Sequence, residues 1–392
     1  MKIAIVIPFL EKVMGNRLAF LLARELAKTN SVHVVTLVAH TDLIPKIPVL
    51  LGNAKLEMHS QTKVSHQPSN LTLLYRQLSR RFDRRLSRFL KSLHARLDFD
   101  AIVVMADEGH WLGGYVRRWD VKKRPITGVL VLDLIDHTFL LRRDRPHPTA
   151  RILAGCAYPM MNLLERARLW EYDVIFSISN WTADNLEYLY GIRPNEVVPA
   201  VDTDLFKPTK SEISRHDARR VLVPTAGLDD RGAETCRFLA ENGIPVVTVG
   251  PKDVSGVEHL GFVSDERLAS LFGGSAVTFA PFDYEGLGLI PLESLACGTP
   301  VITYPKQGPY GELRDNKYVT FSEDPVTILR ATRMHLDASR SENDIRECSQ
   351  SILRYSPKVA AGAMLRALQG PLDKRLRVGA TASSETKGST HA

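Results

Sequence analysis

Short runs of β-branched residues alternate with amphipathic stretches along this chain, and they do so in two separate blocks. Ile3–Ile7 precedes an amphipathic stretch from Arg17 to Lys28 that carries Leu18, Leu21, Leu22 and Leu26, after which Val32–Val38 is apolar again. Strand, helix, strand at this spacing is a βαβ unit, which requires a parallel sheet. The alternation resumes with Ala101–Met105, Gly128–Leu132 and Val174–Ile178. Past residue 200 it restarts. The pattern predicts strands at Val221–Pro224, Pro245–Val249, Val277–Ala280 and Val301–Tyr304, with helices over Glu234–Glu241, Glu266–Phe272 and Pro291–Ala296. Two such blocks predict an α/β protein of two doubly wound domains. The seam falls near residues 199–210, where Pro199 and Pro208 interrupt the pattern. The expected division is 1–199, 200–342, a helical segment 343–370, and a loose tail 371–392 rich in Gly, Ser, Thr and Lys.

Composition supports a globular reading. With 44% apolar and 24% charged residues among 392, the chain is neither disordered, collagen-like nor disulfide-stapled. The four cysteines (Cys156, Cys236, Cys297, Cys348) are scattered without a CxxC, so they read as reduced thiols in a cytoplasmic protein. No apolar run reaches the roughly 18–20 residues that a membrane span needs. The opening Met1–Pro8 is cut off by Glu11 and Lys12 before it could act as a signal segment, and reads as a buried first strand.

The chemistry concentrates in Pro281–Ile302. This stretch leaves a strand, passes through a loop with Gly286 and Gly288, enters a helix near Pro291 and turns at Gly298 into the next strand. Glycines let the backbone approach a ligand, and a helix start just beyond them favours phosphate. Ligands of open α/β sheets bind beyond the carboxyl ends of the strands, where this loop falls. Glu285 and Glu293 flank it, and carboxylates accept from hydroxyls. A phosphate cradle between two such acceptors suits a nucleotide sugar, whose diphosphate lies between two hydroxyl-bearing rings. The structural alternative is a turn whose glycines serve packing and whose Glu293 is solvated.

The segment resembles the signature of retaining glycosyltransferases with the GT-B fold, above all glycosyltransferase family four. That family's pattern is E-G-F-G-L-P-x-L-E-A-x-A-x-G-x-P-V; this chain has E-G-L-G-L-I-P-L-E-S-L-A-C-G-T-P-V. Residues 179–182 with Val198–Pro208 are similar to the family's interdomain passage. Gly261–Glu266 resembles its turn near the nucleobase, and Gly308–Leu313 the loop after the next strand. The resemblance implies two Rossmann-like domains facing across a cleft, with the donor held by the second and the acceptor by the first. It implies that Glu285 contacts the sugar hydroxyls, that Glu293 binds the ribose, and that Phe262 lies near the base. The backbone of Gly286, Leu287, Gly288, Leu289 and Ile290 would hold sugar and diphosphate.

The chain departs from the family in three places. Where the family has G-R-L-x-x-x-K-G, this chain has Thr225–Gly232: Ala226 replaces the Arg, and Arg231 stands at the Lys position. Arg231 is thus either the remaining diphosphate cation or a plain surface residue, with Asp229 and Asp230 beside it. The family's paired glycines before the first helix are Gly15-Asn16-Arg17 here, and Gly15 either reaches the donor or only opens the helix. The family's His-Asp pair is Leu132-Asp133; Asp133 keeps its place, and His137 or His110 stands in for the missing histidine unless both are structural.

The implied activity is transfer of a hexosyl unit from a UDP- or GDP-sugar to a hydroxyl on a saccharide, lipid-linked or protein acceptor, with retention. No metal and no cofactor beyond the co-substrate is expected, and Asp202-Thr203-Asp204 reads as a linker cap rather than a metal motif. A catalytically inactive scaffold of the same fold and a nucleotide-sugar epimerase are the alternatives. Residues 1–200 carry 28 basic and 19 acidic side chains, net +9; the remainder carry 23 and 25, net −2. Much of the excess lies in Arg76–Leu97, either a core-packed helix with a solvated arginine face or a helix lying on an anionic membrane at its cytoplasmic face. No nucleic-acid motif accompanies it.

Overall fold

The computed structural model describes residues 1–10, 17–40, 50–62, 80–105, 111–121, 123–132, 159–160, 162–208, 220–282 and 285–387. It divides into two units. The first comprises Met1–Ile178, Thr182–Val198 and Ala360–Ala392; the second comprises Ser179–Trp181 and Pro199–Val359.

The first unit is built on an eight-stranded parallel sheet. Its strands are β1 (Lys2–Val6), β2 (Phe9–Leu10), β3 (Ser31–His40), β4 (Lys55–Thr62), β5 (Ala101–Val104), β6 (Ile126–Val131), β7 (Val174–Ser177) and β8 (Glu196–Val197). Strand β2 continues β1 along the same side of β3 in one register, with Lys2 opposite Ser31 and Phe9 opposite Val38. The spatial order is therefore β4, β3, β1, β5, β6, β7, β8, the doubly wound arrangement. Strands β5, β6 and β7 are buried along their whole length, which is why they read as unbroken apolar runs. Strand β4, Lys-Leu-Glu-Met-His-Ser-Gln-Thr, lies at the sheet edge. Its polar residues hid it from the apolar pattern.

The basic helix Arg80–Leu97 spends its apolar face on this unit's core. Leu86, Leu90 and Leu93 are buried in one cluster with Ile102, Val104 and Val129, while Arg81, Arg84, Arg85 and Arg88 are exposed. The membrane-lying alternative needs that apolar face free, and it is already covered. No helix among the described residues is long and apolar enough to cross a membrane.

The second unit holds six parallel strands: β9 (Val221–Pro224), β10 (Val246–Val249), β11 (Glu258–His259), β12 (Val277–Ala280), β13 (Val301–Thr303) and β14 (Val319–Phe321). Their order is β11-β10-β9-β12-β13-β14. The direction of winding reverses between β9 and β12, the kind of point beyond whose strand ends open α/β sheets bind ligands. Leu228, beyond β9, and Phe282, beyond β12, form an antiparallel bridge across the point of reversal.

The helix Pro357–Lys387 extends into the stretch expected as a loose tail, whose residues 388–392 lie outside the described residues, and from Ala360 it counts with the first unit. Cys236, Cys297 and Cys348 are buried and form no disulfide among the described residues. The Asp202 carboxylate accepts from the backbone N–H groups of Asp204 and Leu205 at 3.2 and 3.3 Å. Among the described residues no group of three or more His, Cys, Asp or Glu side chains is placed to hold a metal ion.

Within the second unit, one acid holds Asn180. Glu312, buried on the helix Gln307–Leu313, accepts from the Asn180 backbone N–H at 2.6 Å, from its side-chain amide at 2.9 Å and from the Tyr355 hydroxyl at 3.1 Å. Replacing Glu312 with Ala leaves those donors without their shared acceptor, and the expected loss is about 3 kcal/mol. Urea unfolding of wild type and variant, followed by circular dichroism, checks this; an unchanged midpoint contradicts it.

Candidate active site

Three loops meet at the reversal in the second unit. The loop after β12 carries Glu285, Gly286, Leu287 and Gly288 into the helix Leu289–Ala296. Gly288 caps that helix in the left-handed region at φ +81°, and a Cβ there would lie 2.5 Å from Pro309 Cγ. The loop after β13 packs directly on this turn. The Glu285 N–H donates to Gln307 Oε1 at 2.7 Å, and the Gly308 N–H donates to the Glu285 carbonyl at 3.1 Å. A Cβ on Gly308 would sit 2.2 Å from the Gly286 carbonyl oxygen, so only glycine permits this approach. Gln307 itself adopts φ +54°, a strained value for a side-chain-bearing residue. On the other side, the Ser179 hydroxyl donates to the Gly286 carbonyl at 2.5 Å. Glu285 and Gly286 are thus held from both flanks.

Glu285 is half-buried and Glu293, one turn into the helix, is buried. The Leu287 side chain is buried, while Leu289 and Ile290 are half-buried. A helix start leaves its first N–H groups without intrahelical acceptors, the local geometry that favours anions in general. Pro291 removes one donor from this helix start.

Cationic side chains stand on the neighbouring loops. Arg231, in the first turn after β9, places Nη2 2.7 Å from Glu323 Oε2 and its guanidinium carbon 4.5 Å from the Tyr304 ring centre. Lys306, just after β13, reaches Glu323 Oε1 at 3.2 Å, with its ammonium 5.8 Å from the same ring centre. One carboxylate therefore bridges two cations over one aromatic face. Partial burial works to raise the Glu323 pKa, but the hydrogen bonds from Arg231 and Lys306 outweigh it and hold the carboxyl below its usual range. Burial pushes the Tyr304 phenol up to about 12, so it stays neutral.

The two aspartates that threatened an anion site are engaged elsewhere. Asp229 caps the helix Asp230–Glu241 by accepting from the Gly232 N–H at 2.7 Å. Asp230 pairs with Lys252 at 3.0 Å.

Of the residues singled out in the sequence, Glu285–Ile290, Glu293 and Arg231 all belong to the loops and helix starts beyond β9 and β12. Phe262 lies on the turn after the edge strand β11 and is 78% exposed, unusual for an aromatic side chain. Gly15, His110, Asp133 and His137 lie outside the described residues. Sequence reading missed Gln307, Lys306, Glu323 and the role of Ser179. Only Lys306 left a signal, by following a parallel strand at its carboxyl end.

Residues 255–350 match the family model described as glycosyl transferases group 1. A D-inositol 3-phosphate glycosyltransferase of Streptosporangium roseum is 27% identical over 234 residues, 49% of this chain and 51% of that protein. A GDP-mannose-dependent alpha-(1-6)-phosphatidylinositol dimannoside mannosyltransferase of Mycobacterium tuberculosis is 28% identical over 172 residues, 43% of this chain and 44% of that protein. The chain thus spans about half the length of these curated relatives. Sucrose-phosphate synthase of Thermosynechococcus elongatus matches with a TM-score of 0.68 at 17% identity, over 97% of this chain and 100% of that one; the likeness is one of fold.

Gly288→Ala is expected to lose about 1–2 kcal/mol from the left-handed backbone alone, and Gly308→Ala a similar amount or more from overpacking against Gly286. Both should speed hydrogen exchange at the amides of 285–290; wild-type exchange there refutes the packing account. For the ion cluster, a lowered carboxyl contributes stability that is complete above its ordinary 4.5 and is lost as pH falls through the lower folded value. Carboxyl-carbon NMR of Glu323 should titrate below 4.5 in wild type and return toward it in Arg231→Ala.

Proposed function

We propose that this chain, a GT-B protein of the glycosyltransferase family-four type, transfers a hexosyl unit from a UDP- or GDP-sugar to an acceptor hydroxyl, with retention and without a metal. The observation that carries this reading is the turn Glu285–Ile290 at the winding reversal, rigidly held and opening into a helix whose first turn ends close to Glu293. The relatives' printed names cover donors and acceptors of this general kind, an inositol phosphate and a phosphatidylinositol mannoside among them.

In this reading the backbone N–H groups of Gly288–Ile290 and the Arg231 guanidinium take the donor's diphosphate. Negative charge grows there as the bond between the sugar's anomeric carbon and the phosphate oxygen breaks. Donors fixed in advance stabilise that charge without reorganising. Glu293 accepts from the ribose hydroxyls and Glu285 from the sugar hydroxyls. The acceptor oxygen attacks the anomeric carbon from the side the diphosphate leaves, and its proton passes to the departing phosphate oxygen. No protein nucleophile is needed; the protein's contribution is position and charge. Phe262 offers an exposed ring to the base. A peripheral contact with an anionic membrane would rest on the exposed arginines Arg81, Arg84, Arg85 and Arg88 acting by charge alone.

A second reading, a scaffold that binds nucleotide sugar without turnover, is favoured by Ala226 at the position of a family cation. Slow donor hydrolysis or transfer by the purified chain supports the enzyme, and binding without either supports the scaffold. Thermal-shift screening with nucleotide sugars selects the donor, because a ligand of the native state raises stability with its concentration. NMR of the product's anomeric configuration decides retention.

Three variants test the residue roles. Glu293→Ala should weaken donor binding by calorimetry, and Glu285→Ala should lower kcat more than binding. Phe262→Ala should raise the nucleotide Kd about tenfold or more, the worth of one base–aromatic stack. Wild-type constants in all three remove the site assignment.

A further inference from the structure

Two positive side chains from different loops converge on one carboxylate beside the glycine turn. Arg231 comes from the helix start after β9 and Lys306 from the loop after β13, and each is within 3.2 Å of a different oxygen of Glu323. Both also stand over the Tyr304 ring. Two cations held this close repel each other unless an anion lies between them, and a carboxylate spanning both is the geometry of a two-point anion seat. The neutral phenol of Tyr304 supplies no countercharge. Asp229 and Asp230 do not serve the seat either, being bonded to the Gly232 N–H and to Lys252.

The seat adjoins the turn assigned to the donor. Lys306 immediately precedes Gln307 and Gly308, the two residues bonded to the Glu285 backbone. Arg231 aligns with the position that the family resemblance gives to a diphosphate cation, and its family companion is replaced by Ala226. One positive charge missing on the first loop is thus matched by one positive charge present on a neighbouring loop.

We propose that Lys306 supplies the second phosphate-binding cation that Ala226 does not, and that the Glu323 carboxylate occupies in the empty protein the place a donor phosphate takes when bound. The proposal rests on the nucleotide-sugar reading above. The Lys306 and Glu323 side chains are 30% and 35% exposed, so water screens that pair and rehydrates the carboxylate as it leaves. A diphosphate also carries more charge than the single carboxylate it displaces. Glu323 then acts as a competitor that moderates donor affinity and keeps the cations together between turnovers.

The test compares the affinities of a nucleoside and of its 5′-diphosphate, using uridine with UDP and guanosine with GDP, by calorimetry on the full chain. Wild type should prefer the diphosphate strongly. Lys306→Ala should reduce that preference at least tenfold while leaving nucleoside affinity unchanged, and Lys306→Arg should restore most of it. Glu323→Gln should tighten diphosphate binding several-fold without altering nucleoside binding. Melting temperatures of all variants guard against misfolding, and the unchanged nucleoside affinity is itself a folding control. If wild type prefers the diphosphate and Lys306→Ala keeps the full preference, this proposal is overturned while the donor reading stands. If wild type shows no preference for either diphosphate, the donor reading fails and this proposal falls with it.

Discussion

The second unit depends on a backbone-to-backbone approach that only glycine allows. Gly308 lies so close to the Gly286 carbonyl that a single methyl would overlap it, and from that closeness come the paired bonds between Gln307–Gly308 and the Glu285 backbone. The loop after β12 would otherwise be an exposed connection free to sample many conformations. Pinned by the loop after β13 and by the Ser179 hydroxyl, it becomes a shaped surface. In the proposed function its donors would be fixed in advance, the condition under which dipoles stabilise charge most effectively.

Around that contact several of the unit's acids have distinct partners. Asp229 caps a helix, Asp230 holds Lys252, and Glu312 anchors Asn180. Glu323 differs from these, because it bridges two cations at a partly exposed position. The buried acid Glu312 is structural, since removing it takes the shared acceptor from two donors of Asn180. For a partly exposed bridging acid such as Glu323, the proposed exchange draws on solvent to replace what it gives up. The same residue type thus serves two ends, separated by burial.

The first unit shows how helix amphipathicity is consumed by the core. Arg80–Leu97 has the pattern of a surface-seeking helix, yet Leu86, Leu90 and Leu93 face Ile102 and Val104 of the sheet. Pattern alone does not tell a core from a bilayer, because both reward the same apolar stripe. The distinction belongs to whichever surface the fold brings against it.

By itself the sequence determined the alternation of strand and helix, the parallel sheets and the glycine turn, because these rest on local periodicity and on residues with special backbone freedom. Strands β4, β8, β11 and β14 escaped it, since an edge strand need bury only part of its surface and so keeps polar residues that blur the pattern. Glu285, Glu293 and Arg231 were legible because they stand within a few residues of the glycine turn or of a strand end. Gln307 and Glu323 were not, because their meaning lies in partners 22 and 92 positions away, at Glu285 and Arg231, and Lys306 left only its place after a strand end, its partner Glu323 standing 17 positions on. Only the winding of the sheet, which sets the ends of β9, β12 and β13 side by side, decides such pairings.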